Sequence, residues 1–212
     1  MRIQAFIPDW KSPKTNASLM YDALDAHCET TILDAYDVPF SVQWEEAVSR
    51  FTGDIFLWAM ADVEPGDFEN MFPRMREIYD RGDIAMYAPN IHYSSQRYDK
   101  SKLRYVEPDI YEVCGTDLLF CSLTSELLFA LPSLGVNSHA WSYDYLMTVI
   151  ARRQGKRVVR DYRFDFNHPE GSIYNKPDAL EQQHFWINHL DVADREGILE
   201  QQRLQAQLVG ND

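Results

Sequence analysis

The stretch FLWAMADVEP, residues 56–65, ends an apolar run in Asp62, Glu64 and a proline. Carboxylates at such a point, with the backbone turning under Pro65 and Gly66, can hold a hard divalent cation. That cation can in turn bind a diphosphate. The charge balance permits this even though the chain carries a net charge of −13, because the metal supplies the positive charge. The plain alternative is that Asp62 and Glu64 cap the turn before the next helix, since an isolated D-x-E is common.

A second stretch, residues 137–171, adds two more groups of this kind. Trp141-Ser142-Tyr143-Asp144 opens a helix. A carboxylate in a first helical turn is favoured by the helix dipole and stays ionised. Asp144 could serve as a general base for an acceptor hydroxyl if it reaches a pocket. His168 follows in a loop before Pro169, where a neutral imidazole could complete a metal site. Against these stand a helix N-terminal carboxylate and an ordinary surface histidine.

These residues need elements to hold them. Residues 2–7 read as a strand stopped by Pro8, and Asn16 as the cap of a helix running to about residue 27. Residues 30–35 read as a second strand ending near Asp34. Val42, Ala47, Val48 and Phe51 share a helical face that Gly53 closes. DIFLWAM is a continuous apolar run of strand length, suited to a strand covered on both faces. FENMFPRMREIYDRG reads as a helix and DIAMYAP as a strand. Strands and helices therefore alternate through residues 1–89, which implies an α/β domain with a largely parallel sheet. Residues 91–109 are polar and tyrosine-rich, and read as a loop or an edge segment. A strand at 117–123, a helix broken by Pro132, an amphipathic helix at 142–157 and a strand VVRDYRFDF follow. The tail from residue 177 is helical with mixed charge.

At 212 residues and 45% hydrophobic, the chain is expected to form one globular domain. Its acidity disfavours nucleic-acid backbones and anionic membranes as partners unless a local basic patch intervenes. Three cysteines without metal spacing suggest a reduced, cytoplasmic setting. No apolar run approaches the roughly 20 residues that span a bilayer.

Taken in order over residues 2–174, these pieces resemble the GT-A fold glycosyltransferases, in particular the family-2-like inverting enzymes of the nucleotide-diphospho-sugar transferase superfamily. AFIPDWKSP looks like the first strand and nucleotide loop. GDIFLWAMADVEP looks like the strand ending in the D-x-D motif. HAWSYDYLMTVIARRQGKRVV is similar to the tryptophan-containing segment in which an aspartate precedes a helix, and FNHPEGSIY to the later histidine loop. The resemblance implies a mostly parallel central sheet flanked by helices, in a single catalytic domain over residues 1–212, with 177–212 as a helical tail. It implies that Asp62 binds a divalent metal, Mn2+ or Mg2+, on the diphosphate of a nucleotide-sugar donor, with Glu64 and His168 as further ligands. Asp144 takes the role of catalytic base. Pro8, Asp9 and Asp34 lie where the nucleotide rests, and Trp141 and Tyr143 where substrate docks. Met60 stands where the first aspartate of D-x-D belongs, a departure from the pattern. The implied reaction is a single inverting displacement. The acceptor is open: a glycan, a lipid-linked molecule, a protein or a modified nucleobase.

Other features carry lesser expectations. Lys11 and Lys14 could touch phosphates or be solvated. The segment from Tyr93 to Tyr105, with Arg97, Lys100, Lys102 and Arg104, reads as a surface loop or as a lid over the nucleotide sugar, ahead of a stacking surface for a nucleic-acid acceptor. Ser125 and Glu126 could meet an acceptor or cap a helix. His184 and His189 are five apart and do not share a helical face. The tail either packs back on the domain or joins a homodimer. Two other functions compete with the transferase: a non-catalytic nucleotide-sugar or glycan binding domain, for which Met60 argues, and a sugar nucleotidyltransferase. The latter lacks its usual glycine-rich loop after the first strand.

Overall fold

The computed structural model describes residues 1–10, 16–34, 36–92, 96–168 and 176–209. Eight strands form one sheet: β1 (Ile3–Asp9), β2 (Glu29–Asp34), β3 (Ile55–Ala59), β4 (Ile84–Ile91), β5 (Arg104–Glu107), β6 (Ile110–Glu112), β7 (Phe120–Thr124) and β8 (Arg157–Phe166). Their order is β2-β1-β3-β7-β4-β8-β6-β5. The expected parallel pairing joins β1 to β2 and β3, and β4 to β8. Strand β7 connects the two parallel groups by running antiparallel to both β3 and β4. The helices are α1 (Ala17–Asp25), α2 (Phe40–Arg50), α3 (Phe68–Asp80), α4 (Ser125–Ala130), α5 (Tyr143–Arg153), α6 (Lys176–His189) and α7 (Val192–Leu208).

The apolar run at β3 is buried along its whole length. Strand alternation sends Phe56 and Trp58 to one face, and Ile55, Leu57 and Ala59 to the other. The first face packs on Trp44 of α2 and Leu146 of α5. The second packs on Met20 and Leu24 of α1 and on Met71, Phe72 and Met75 of α3. Two covered faces explain why the strand reads as an unbroken apolar run rather than an alternating one.

The polar stretch after β4 is more ordered than a plain surface loop. It contains a 3-10 turn at Lys100–Lys102 and the hairpin β5–β6, which pairs on β8 as the sheet edge. Helix α7 packs against α5, with Ile198 buried and Leu204 and Leu208 covering the same core. No helix among the described residues is long and apolar enough to cross a membrane.

Candidate active site

Ligands of open α/β sheets sit beyond the carboxyl ends of the strands. Strand β1 ends in Asp9 and β2 in Asp34, and parallel register puts these two residues side by side, with Pro8 beside Leu33. The end of β3 is tied to α1, because Asn16 donates its N–H to the Ala61 carbonyl at 2.8 Å. Asn16 also caps α1, accepting from Leu19 N at 3.0 Å. The chain then turns through Val63, whose N–H returns to the Met60 carbonyl. Met60 packs against the cores on both faces of the sheet, so the residue in place of the first aspartate is used for packing.

Strand β8 carries His168 to the same end of the sheet. His168 Nε2 lies 3.3 Å from Asp62 Oδ2. The other polar atom of each side chain, Asp62 Oδ1 and His168 Nδ1, is buried with no hydrogen-bond partner among the described residues. Such orphaned atoms are uncommon and invite a ligand. Glu64 takes a different path. It is exposed, its backbone pairs with Asn167, and its carboxylate accepts from Asn167 Nδ2 at 2.9 Å. Among the described residues no group of three acidic, histidine or cysteine side chains could enclose a metal. Asp62 and His168 alone could hold only an ion that keeps waters and takes its remaining ligands from elsewhere, such as phosphate oxygens.

Asp144 belongs to a second group. It is buried at 6% exposure in the first turn of α5. Its Oδ2 accepts a hydrogen bond from Gln96 Nε2, and it packs so closely on Gly115 that a Cβ there would collide with it. Burial pushes its carboxyl up to about 7, nearby Asp117 adds to the rise, and the Gln96 bond opposes it. A carboxylate of this kind can accept a proton near neutral pH. Gln96 is fixed in turn. Tyr98 Oη donates to its side-chain oxygen at 2.9 Å, Arg160 donates to its carbonyl at 2.7 Å, and its N–H reaches Asp117 at 3.3 Å. Residues 115–119 connect the two groups, since Leu119 O accepts from Met60 N at 2.8 Å.

The backbone leading to Asp144 is strained. Ala140 and Ser142, on either side of Trp141, both adopt the left-handed conformation, with φ of 55° and 66°. Non-glycine residues rarely do so, and such strain concentrates at functional sites. Gln183 and Gln202 both donate to Ser142 Oγ and hold the turn. Trp141 is half-buried, and its carbonyl accepts from Asn137. Tyr143 faces inward instead of toward a substrate surface. It is 1% exposed, donates to the Pro132 carbonyl at 2.8 Å and packs edge-on against Trp44 and Trp186.

Thr124, rather than Ser125, caps α4, and Glu126 pairs with Lys156. His184 and His189 are exposed on α6. Lys11, Lys14, Tyr93 and the loop 169–175 lie outside the described residues. Gln96, Asp117 and Arg160 had no part in the sequence reading. For Arg160 a signal was present: two adjacent charges, Arg160 and Asp161, in the middle of an otherwise strand-like run predict buried, partnered ions.

Solved structures share this fold. The protein crystallised as S. aureus TarS 1-349 in complex with UDP-GlcNAc superposes with a TM-score of 0.57 at 15% identity, over 99% of this chain and 74% of that one. The mannosyltransferase PcManGT from Pyrobaculum calidifontis, in complex with GDP-Man and Mn2+, gives 0.54 at 9% identity, over 99% and 76%. The chain has the GT-A fold. A197 from STIV also matches, with a TM-score of 0.56 at 20% identity over 81% of this chain and 87% of that chain. No protein-family model and no curated protein sequence matches the chain. At these identities the GT-A likeness concerns the fold, and the chemistry rests on the residues described above.

Proposed function

We propose that the protein is a glycosyltransferase that moves a sugar from a nucleotide-diphosphate sugar to an acceptor hydroxyl, with inversion. The observation that carries this reading is the contact between Asp62 and His168 at the carboxyl ends of β3 and β8, where each side chain keeps a buried polar atom without a partner among the described residues. Asp62 and His168 would hold a divalent metal, with Asp9, Asp34 and Pro8 toward the nucleoside and Trp141 toward substrate. When bound, that metal would offset the charge of the departing diphosphate. Asp144 accepts the proton of the attacking hydroxyl, and Gln96 holds its carboxylate in position until then. The reacting groups must be aligned more than chemically transformed by the protein. TarS and PcManGT, with their UDP-GlcNAc and GDP-Man, support the donor class.

A second reading is a binding domain on the same scaffold, favoured by Met60 and by the enclosure of Asp144 behind Gln96. Thermal melting against nucleoside diphosphates and nucleotide sugars, with and without Mn2+, separates the two when followed by donor turnover. The transferase raises its Tm with one nucleotide in the presence of metal, and loses that shift in Asp62→Ala. Asp144→Asn keeps the shift and loses sugar transfer. Full transfer by both variants would end the transferase reading.

A further inference from the structure

An open cleft of about 930 Å³ lies outside the ends of β4 and β8. Gln96, the residue that holds Asp144, is part of its lining. For a chain with a net charge of −13, the lining is unusual, because it gathers Arg97, Lys100, Arg160 and His92. The two acids in the lining are already engaged. Asp99 accepts from Ser101 and sits 3.8 Å from Lys102, while Asp165 accepts from Asn90 at 2.6 Å and faces His92 at 3.9 Å.

The donors are less well served. Arg160 is 2% exposed and donates one Nη to the Gln96 carbonyl, but its Nε is buried with no hydrogen-bond partner among the described residues. Tyr162 Oη is also buried without one. It is close enough to the Arg160 guanidinium to interact with it. Among the described residues Lys100 has no carboxylate partner, and its Nζ rests 5.1 Å above the Tyr162 ring. Unpaired buried donors are costly, and a ligand rich in acceptor atoms relieves them. A phosphate ester is such a ligand, with several charged oxygens that guanidinium and ammonium groups can share.

We propose that this cleft binds a phosphate ester, and that the molecule receiving the sugar carries it. The acceptor role rests on the transferase reading, whereas the phosphate site stands on the cleft alone. Phosphate there sits beside the residue that holds the base, so a hydroxyl on the same molecule is brought toward Asp144.

The test titrates the whole protein calorimetrically with glycerol 3-phosphate, using glycerol as the neutral control. It is repeated by co-sedimentation with phosphatidylglycerol and with phosphatidylcholine vesicles. The variants are Lys100→Glu, at an exposed position, and Tyr162→Phe, which removes only a hydroxyl. Expected is binding of glycerol 3-phosphate but not glycerol, weakened about tenfold in Lys100→Glu and several-fold in Tyr162→Phe. UDP with Mn2+ should bind both variants as it binds the parent. Selective, Lys100-dependent binding to phosphatidylglycerol vesicles would assign the phosphate to a lipid headgroup, and its absence to a soluble ester. Both results support the site. No glycerol 3-phosphate binding, equal binding by both variants, or displacement by UDP would overturn it. Glycerol 3-phosphate binding with no nucleotide binding would support the site and overturn the transferase reading.

Discussion

Asp144 shows how one residue acquires its chemistry from its surroundings. It is enclosed by Gln96, Gly115 and the start of α5, and burial pushes its carboxyl up to about 7 from an ordinary value of 3.8. The folded protein therefore keeps a proton that the unfolded chain releases over this range. Stability present below about pH 4 is lost as pH rises toward and through 7. The shift corresponds to roughly 4 kcal/mol at full ionisation. Asp144→Asn removes the titration while leaving an oxygen to accept from Gln96. Its stability should approach the parent's at pH 5 and exceed it at pH 8 in denaturant unfolding. A gap that stays flat between the two pH values would show that burial does not control this carboxyl. With Asp144 as the proposed base, sugar transfer by the parent should rise with pH through the same range, since only the ionised form accepts a proton. From sequence, Asp144 was legible as a helix-opening carboxylate. Its partner Gln96 was not, because it lies in a polar stretch with no periodicity to mark it.

At the scale of elements, the segment joining β3 to α3 is what brings Asp62 to His168. It crosses the end of β8, bridged by Glu64 and Asn167. Gly66 makes the crossing possible. A Cβ at that position would sit 2.1 Å from Cε1 of Phe166. The Phe166 ring cannot give way easily, because Phe68 and Phe120 pack edge-on against it at 5.4 and 4.9 Å. Gly66→Ala should therefore cost about 1–3 kcal/mol, the range of an overpacked core, and should weaken the proposed metal-dependent nucleotide binding by parting Asp62 from His168. Unchanged Tm and unchanged nucleotide binding would refute the account. The apolar run of β3 and the glycine turn after it were readable, since a covered strand must be apolar on both faces. The antiparallel β7 and the edge hairpin β5–β6 were not. Short strands resemble one another in sequence, and their direction is fixed by partners far along the chain.

At the scale of the molecule, the C-terminal helices are joined to the site rather than appended to the domain. Helix α7 ends against the segment that bears Gln96. Asp99 donates its N–H to the Leu208 carbonyl at 2.8 Å, Lys102 reaches the Val209 carbonyl at 3.1 Å, and Tyr98 pairs with Val209. Gln202 and Gln183 hold Ser142, and Tyr145 donates to Gln205. The tail thus grips both walls around Asp144: the turn into α5 and the 96–103 segment. Ending the chain after Arg203 keeps Gln202 and Ile198 in place and removes Leu204, Gln205, Leu208 and Val209. The loss of two half-buried leucines costs about 1–2 kcal/mol each, so the truncated protein should fold with a lowered Tm. Its Asp99 amide should exchange with solvent much faster than the amides of β3, because local opening no longer has to break the contacts with α7. On the proposed function, sugar transfer should fall further than nucleotide binding, since the removed residues hold the 96–103 segment beside Asp144. Asp99 protection equal to the parent's would show instead that the 96–103 segment holds itself, and that the tail contributes stability alone.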